Sequence, residues 1–456
     1  GHAPDRATCI SGRDQARNVW RGCDHSLDVS GGWYDAGDHG KYVVNGGIAV
    51  WTLLNAYERQ LHLDRPHMFR DGSAAMPEAG NGVDDLLDEA RWELEFLLAM
   101  QVPDGTRMRL PVGVRRSGPN LEFSDVDVSG MAHHKVADER WTRLPMPPHL
   151  DPERRFLFPP STSATLNLAA NAAQCARIWR TIDAAFSQRC LAAAERAFAA
   201  TARNPDVHSI ADFPGSGGYN SPELSDEFFW AAAELFATTG RDEYGEALRG
   251  SPHFTAPVRE PDWANTATLG TITLAMVPGR PDIADRDSLR NRLVEAAQSW
   301  LEEQQRVGYR IPYTPPYTWG SNSVLLNRAM LLGLAHDFTG EARYRAGVID
   351  AMDYLLGRNP LDRSYVSGYG ARPMRHPHHR FWANGLDASL PPPPPGALSG
   401  GPNNIAMADE VAQGLRGQCA PQACWRDDVR SFSLNEVAIN WNAALVWVAA
   451  WLAEPR

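Results

Sequence analysis

The chain has 456 residues, a net charge of -11 and 43% hydrophobic residues. This composition is that of an ordinary soluble globular protein, and it excludes a fibrous, disordered or membrane-embedded chain. Nucleic acid is an unsuitable partner, because phosphate recognition needs clustered Lys and Arg. Length alone allows either one large domain or two to three average ones.

Eleven segments are predicted to be helical, and the clearest, beginning at Asp84, places its leucines along one stripe. In chain order the segments lie near residues 46–59, 84–101, 162–180, 184–202, 225–239, 241–249, 265–276, 286–305, 321–338, 341–356 and 436–453. No long alternating pattern predicts a parallel sheet or a sandwich, so the fold class is mostly α. The most apolar run, 437–452, contains Asn440 and Asn442 and is shorter than a typical membrane span, which indicates a buried core helix.

Four long connections are rich in Pro, Gly and aromatic residues, and they cover residues 103–161, 204–224, 308–320 and 357–435. Loops of this length inside a compact domain are usually functional. We therefore expect the functional residues to lie on them or at their ends.

The six cysteines form three pairs that are close in sequence: Cys9 with Cys23, Cys175 with Cys190, and Cys419 with Cys424. This pattern favours disulfides and an oxidising compartment, which predicts a secreted or periplasmic protein. For the first pair a structural zinc is an alternative, because His25 beside Cys23 supplies a third soft ligand.

Residues 31–42 read GGWYDAGDHGKY and hold Asp35 and Asp38 three positions apart between glycines. Asp residues in such turns commonly cap backbone N–H groups, which is one interpretation. The surrounding aromatic and basic residues favour another, a walled site in which one carboxylate holds a water molecule and the second orients it.

A base that activates water needs an acid across the substrate, and Glu436 in SLNEVAINWNAALVW is the candidate. We expect it at the start of an apolar helix, where an apolar setting would raise its pKa and keep it protonated. A first-turn Glu that interacts favourably with the helix dipole is the alternative.

Three segments rich in hydrogen-bond donors lie between Asp38 and Glu436 in the sequence. RHPHHRFW, residues 375–382, could be a metal site of clustered His, but Arg380 disfavours a bound cation, and hydroxyl recognition suits the segment better. GMAHHKVADERW, residues 130–141, and YTPPYTWGSNS, residues 313–323, add further donors and flat apolar faces.

Together these segments resemble glycoside hydrolase family 9, the cellulase-type inverting enzymes, nearly end to end. The motifs that carry the resemblance are, in the family's order, DVSGGWYDAGDHGKYVVNGG, GMAHHKVADERW, PPSTSATLNLA, SDEFFWAAAEL, WGSNS, HPHHR, PGALSGGPNN and NEVAINWNA. The resemblance implies an all-α fold, an (α/α)6 barrel whose long loops form an open cleft for a β-1,4-glucan. It also implies a single catalytic domain over residues 1–456.

The resemblance assigns roles residue by residue. The family's DAGD motif makes Asp38 the general base and Asp35 its partner in holding the nucleophilic water, and the NEV motif makes Glu436 the general acid. The implied substrate-binding residues are His134, Trp319, His378, Arg380 and Trp441.

The resemblance also implies a structural calcium at Asp226 and Glu227, with carbonyls around residues 222–223 and with Asn265 where the family has a distant acid. Carboxylate and carbonyl oxygens suit this hard cation. Helix capping by Ser225 with acids in the first turn is the alternative.

Two departures concern the amino-terminal region. Tyr34 stands where many relatives have a His, which removes a ligand in those that bind zinc and supports a disulfide between Cys9 and Cys23. The branch it resembles usually carries an immunoglobulin-like module before the catalytic domain. This sequence opens without a Met or a leader, so we expect a mature or trimmed portion that lacks the module.

The sequence thus predicts an endo-acting β-1,4-glucanase that hydrolyses cellulose or a related glucan with inversion. An exo-acting relative, either a cellobiohydrolase or an exo-β-D-glucosaminidase, is the alternative within the family. A noncatalytic sugar-binding protein is a third reading, but it would need neither Asp38 nor Glu436.

Overall fold

A computed structural model describes residues 2–279 and 285–455, and helices dominate it. The chain divides into two compact units. The first comprises the residues up to Asp35 together with His39–Thr142 and Pro152–Leu289, and the second comprises Ala36–Asp38, Arg143–Asp151 and the residues from Arg290 onward.

The first unit contains seven α-helices that share a well-buried core. They are α1 (Val43–His62), α2 (Asp85–Ala99), α3 (Thr162–Ile178), α4 (Ala184–Arg203), α5 (Ser225–Thr239), α6 (Asp242–Gly250) and α7 (Ala267–Met276). Helix α3 packs against α1, α2, α4 and α5. Its residues are buried almost throughout, because Ala and other small side chains let neighbouring helices approach from several sides. Ser161 begins this helix by accepting a hydrogen bond from the Ala164 N–H.

Short strands accompany these helices. They are β1 (Arg6–Cys9), β2 (Gly12–Arg13), β3 (Val19–Trp20), β4 (Ser26–Asp28), β5 (Lys41–Tyr42), β6 (Arg107–Leu110), β7 (Ser124–Asp127), β8 (Ala132–His133), β9 (Lys135–Asp138), β10 (Arg155–Leu157) and β11 (Pro160–Ser161). Five of them form one sheet in the order β4-β1-β10-β9-β5, with β1 and β10 parallel and Lys41 opposite Val136. Strand β5 leads directly into α1, so the sheet anchors the chain just after the DAGD motif.

The second unit is built around two helices that pack together, one over Ser321–Thr339 and the apolar carboxyl-terminal one over Ile439–Ala453. Its helices are α8 (Arg286–Arg306), which enters it at Arg290, α9 (Ser321–Thr339), α10 (Ala342–Leu355), α11 (Glu410–Gln413), α12 (Phe432–Asn435) and α13 (Ile439–Ala453). Helix α9 packs against α10 and α13. At Gly333 a side chain would crowd Trp447 and Trp451, so the glycine permits the close approach of α9 and α13.

All eleven predicted helices are present. The predicted start of the last helix is wrong, because α13 begins at Ile439 and Glu436 lies before it with extended backbone angles. The helix-dipole interpretation of Glu436 therefore does not apply. The strands were not predicted, because segments of two to four residues are too short to show an alternating pattern. Within residues 2–279 and 285–455, no helix is both long enough and apolar enough to cross a bilayer.

The predicted cysteine pairs are confirmed. Disulfides join Cys9 to Cys23, Cys175 to Cys190, and Cys419 to Cys424. The second of them links α3 to α4 within the core of the first unit.

Candidate active site

Asp35 is held rigidly within the first unit. The Asp35 N–H donates to the Gly40 carbonyl at 2.9 Å, which closes the tight turn around the DAGD motif. The side chain is only 3% exposed. Its Oδ1 accepts from the Asn45 amide at 2.5 Å and its Oδ2 accepts from the Tyr219 hydroxyl at 2.8 Å. With a donor on each oxygen, this carboxylate is suited to orienting a neighbour rather than to collecting a proton.

Asp38 belongs to the second unit and is partly exposed, so solvent can reach this side chain. The residue before it, Gly37, makes three contacts that fix the loop. Its N–H donates to Glu436 Oε1 at 3.3 Å, and its carbonyl accepts from the backbone N–H and the Nη1 of Arg380 at 3.0 and 3.1 Å. A Cβ at this position would lie 2.7 Å from the His378 ring, so the glycine is required for this close approach.

The backbone around Glu436 is held by neighbouring segments of the second unit. The Glu436 carbonyl accepts from the Gly400 N–H at 2.7 Å, and β-bridges pair Glu436 with His378 and Val437 with Ser399. The side chain itself is partly exposed. Gly37, His378 and Glu436 therefore come together although they are distant in sequence.

His378 has a defined protonation state. Because a carbonyl oxygen can only accept, the His378 Nδ1 carries a proton and donates it to the Val429 carbonyl at 2.7 Å. Burial lowers the pKa of the ring to about 4, against a smaller opposing effect of that carbonyl and of Asp38. The ring is neutral at physiological pH, and its Nε2 can accept a hydrogen bond from a hydroxyl group.

The two predicted stacking tryptophans differ in exposure. Trp319 is 36% exposed, whereas Trp441 is 9% exposed and packs against Gly320 and Gly400. The sequence analysis missed Phe432, whose ring centroid lies 5.5 Å from that of Trp319 and 5.7 Å from that of His378. An aromatic residue four positions before Glu436 was the available signal.

His134 lies fully buried in the first unit. Its Nδ1 is 2.9 Å from the Ser161 hydroxyl, and its Nε2 has no hydrogen-bond partner among the residues that the structure describes. Burial lowers the pKa of this ring to about 3, so the imidazole is neutral. An unpaired nitrogen in such a setting could bind a polar group of a ligand that reaches it.

The predicted calcium residues open α5 and are buried. Asp226 Oδ2 accepts from the Thr266 N–H at 2.7 Å, but Asp226 Oδ1 and both oxygens of Glu227 have no partner among the described residues. Burial, and secondarily the charge of Asp226, raises the pKa of Glu227 well above its ordinary value. Three buried and unpaired carboxylate oxygens on adjacent residues fit a hard cation.

Asp262 is a nearby acid that the sequence analysis missed. Burial raises its pKa, and the Asp226 carboxylate contributes in the same direction. Asn265, the predicted counterpart of the family's distant acid, donates its side-chain amide to the Glu260 carbonyl at 2.9 Å and exchanges backbone hydrogen bonds with Asp262. The short turn 262–265 thus offers a carboxylate in place of the amide.

The zinc alternative does not fit the amino-terminal cluster. Both sulfurs of Cys9 and Cys23 are consumed in the disulfide, and zinc requires thiolates. The His25 Nε2 lies 2.9 Å from the His133 Nε2, while the His133 Nδ1 donates to the Phe158 carbonyl. The two rings therefore form a hydrogen bond in which the His133 Nε2 accepts.

Comparison with known proteins identifies the family. The profile of Glycosyl hydrolase family 9 matches residues 3–449. The chain is 45% identical over 456 residues to Endoglucanase C of Cellulomonas fimi, and 44% identical over 459 residues to a Cellulose 1,4-beta-cellobiosidase of Acetivibrio thermocellus. These alignments cover 98% and 94% of this chain but only 39% and 49% of the two relatives, so it spans about half of their length or less.

A solved structure agrees with this assignment. The crystal structure of a metagenome-derived glycoside hydrolase family 9 endoglucanase superimposes with a TM-score of 0.82 and 34% identity, covering 99% of this chain and 75% of that one. The molecule is thus a member of the all-α class of (α/α)6 barrels, which confirms the predicted fold class. The chain belongs to glycosyl hydrolase family 9.

Proposed function

We propose that this protein is an inverting endo-1,4-β-glucanase that hydrolyses cellulose or a related β-glucan. The observation that carries the proposal is the hydrogen bond from the Gly37 N–H to Glu436 Oε1, because it joins the loop of one candidate acid to the other. Two relatives at 45% and 34% identity, both named endoglucanases, support the same activity.

In this proposal, Glu436 is the general acid and Asp38 the general base. Glu436 gives its proton to the glycosidic oxygen as the bond to the anomeric carbon breaks, while Asp38 takes a proton from the water that attacks that carbon. Such a single displacement needs carboxyl groups about 6.5–9.5 Å apart, to leave room for the water. Asp35, whose carboxylate is held in place by Asn45 and Tyr219, would orient the water by accepting a hydrogen bond from it.

Substrate binding is proposed for His134 of the first unit and for Trp319, His378, Arg380 and Trp441 of the second unit. Trp319 has the exposure that stacking on a sugar ring requires. The more buried Trp441 would contact the sugar with the edge of its ring. His378 would accept from a sugar hydroxyl through Nε2, and Arg380 would donate to another. His134 would bind a hydroxyl through its unpaired Nε2.

The stereochemistry of the first product tests the mechanism. Single displacement at a β-linkage must release the α-anomer, so proton NMR during cellopentaose hydrolysis should show the α-anomeric signal before mutarotation equilibrates it. Initial appearance of the β-anomer would indicate a covalent intermediate and assign Asp38 a different role.

Exo action is the second candidate, because one relative at 44% identity is named a cellobiosidase. The two modes differ in the products formed early. An endo-acting enzyme releases a mixture of oligosaccharides from soluble carboxymethylcellulose and lowers its viscosity quickly. Cellobiose as the sole early product, with little loss of viscosity, would favour the exo-acting candidate.

A structural calcium is proposed at Asp226 and Glu227, with Asp262 as a further ligand candidate. The unpaired buried oxygens of the first two residues support it. The cation would neutralise these carboxylates and brace residues 219–227, the segment that also carries Tyr219 and thereby touches Asp35. The calcium has no part in the chemistry proposed above.

Calcium removal is expected to lower the melting temperature, because a cation that binds only the folded state stabilises it by about 2.7 kcal/mol at a hundred times its Kd. Differential scanning fluorimetry with EDTA, and then with excess calcium, measures the loss and its recovery. The double variant Asp226→Asn with Glu227→Gln should no longer respond to either addition.

A matched control is the exposed acidic pair that opens α6. The variant Asp242→Asn with Glu243→Gln removes the same charge from the first turn of a helix and should respond to EDTA as the wild type does. An EDTA-insensitive wild type that contains no metal by elemental analysis would eliminate the calcium site.

Export and domain organisation complete the proposal. Three disulfides favour an oxidising compartment, so we propose a secreted or periplasmic enzyme. We also propose that residues 1–456 form one catalytic domain, because a single family profile matches residues 3–449 across both compact units.

A further inference from the structure

We infer that Glu93 is a positioning residue that holds the segment leading into Asp35, and the helical turn bearing Asn45, in the arrangement that fixes the Asp35 carboxylate. This inference rests on the proposed function, because its consequence for activity depends on the role of Asp35. Glu93 lies on α2, outside every motif that pointed to the chemistry.

One face of α2 packs against the segment 31–35 and forms hydrogen bonds with it. That face is formed by Glu89, Trp92, Glu93 and Phe96. Residues three or four positions apart lie on the same side of a helix, so these four side chains are neighbours. Trp33 donates its indole N–H to Glu89 Oε1 at 2.8 Å. Trp92 donates its indole N–H to the Gly32 carbonyl at 3.1 Å, and the Gly32 N–H returns a hydrogen bond to the Trp92 carbonyl at 3.3 Å. A Cβ at Gly32 would lie 2.7 Å from Phe96, so the segment lies directly on the helix.

Glu93 occupies the buried centre of this contact and touches both supports of Asp35. Its Oε2 accepts from the Trp33 N–H at 2.6 Å, two residues before Asp35. A Cβ at Gly46 would lie 2.2 Å from its Oε1, so α1 accommodates the carboxyl group only because it has a glycine there. The neighbour of Gly46 is Asn45, the amide donor to Asp35. A change of charge or shape at Glu93 is therefore expected to displace Asp35 both through Trp33 and through Asn45.

Glu93 is a neutral carboxylic acid around neutral pH. Burial raises its pKa to about 8, and the carboxylates of Asp35 from the loop and Glu89 from α2 act in the same direction. The Trp33 N–H and Lys41 from β5 act in the opposite direction, but Lys41 already pairs with Asp5 at 2.8 Å. Ionisation would place a second buried negative charge near Asp35, whose two oxygens accept from Asn45 and Tyr219.

The sign of the pH effect follows from the raised pKa. The folded state retains a proton that the unfolded chain loses near the ordinary value of 4.5, so the free energy of unfolding falls as the pH rises from about 4.5 to about 8. Glu93→Gln cannot ionise, keeps an oxygen for the Trp33 N–H, and removes this dependence.

The experiment compares pH profiles of kcat/KM for 2,4-dinitrophenyl β-cellobioside. Its leaving group needs little acid assistance, so the alkaline limb does not report the ionisation of Glu436. For the wild type we expect a decline above pH 8, to about one tenth of the plateau at pH 9. Glu93→Gln should retain more than half of its own plateau at pH 9. An unshifted alkaline limb in this variant would overturn the inference.

Glu95→Gln is the matched control. Glu95 lies on the exposed side of the same helix and pairs with Arg91 and Arg189, so this variant should reproduce the wild-type profile. Glu93→Leu removes the acceptor for the Trp33 N–H, and it should lower kcat at every pH with a smaller effect on KM.

Melting temperatures provide a readout that does not require activity. The difference in melting temperature between Glu93→Gln and the wild type should widen in favour of the variant as the pH rises from 5 to 8. Parallel curves would overturn the inference even if the wild type proved inactive on every glucan. Inactivity of the wild type on glucans at pH 6 would instead count against the proposed function alone.

Discussion

Replacing Glu436 by Gln is expected to lower kcat on an unactivated β-1,4-glucan by about a hundredfold to ten-thousandfold. The amide has the size of the acid but cannot protonate the leaving oxygen. Its carbonyl oxygen can still accept from the Gly37 N–H, so the loop that carries Asp38 should keep its position. Initial rates on cellohexaose measure the loss, and calorimetric titration with cellotetraose should show little change in affinity.

Two controls define this result. Glu410→Gln, an exposed acid on α11 of the same unit, should behave as the wild type. On 2,4-dinitrophenyl β-cellobioside the Glu436→Gln variant should recover much of its activity, because this leaving group needs little protonation. Turnover of cellohexaose near the wild-type rate would refute the assignment of Glu436 as the acid.

Replacing Asp38 by Asn is expected to cause a loss of similar size, about a hundredfold to ten-thousandfold in kcat, since the attacking water then has no base. Here the loss should persist on the activated aryl cellobioside, because water must be deprotonated whatever the leaving group is. The contrast between the two variants on the same two substrates separates the acid from the base.

Azide provides a direct check on the base. This nucleophile needs no deprotonation, so it should restore turnover to Asp38→Ala and yield the α-glycosyl azide. Asp353→Asn, which changes an exposed acid on α10, is the matched control and should retain wild-type rates. A rescued product with the β configuration, or full activity of Asp38→Asn, would contradict the proposed role.

The local features of this chain could be predicted because neighbours in sequence determine them. Helical periodicity arises within a few turns, so the eleven longer helices were predicted, whereas α11 and α12, of four residues each, were not. Cysteines about fifteen residues apart or closer were paired correctly. Asp35, Asp38 and Glu436 attracted attention through their immediate context. Their catalytic roles stay predictions until the variants above are measured.

Features that depend on distant contacts could not be predicted. The start of α13 was placed three residues too early, because Glu436 takes an extended conformation to bridge with His378, a constraint that comes from another segment. The sheet escaped notice because its strands are short, and Phe432 because one aromatic residue carries no pattern. Asp262 was missed because the family comparison pointed to Asn265.

By itself, the sequence determined the eleven longer helices, the cysteine pairs and the candidate acids, since each depends on side chains close together in the chain. Only the tertiary structure decided that Tyr219 and Asn45 occupy both oxygens of Asp35, and that Gly37 binds Glu436. It also decided that Glu93 is neutral, because burial raises the pKa of a carboxyl group and burial is created by residues far apart in sequence.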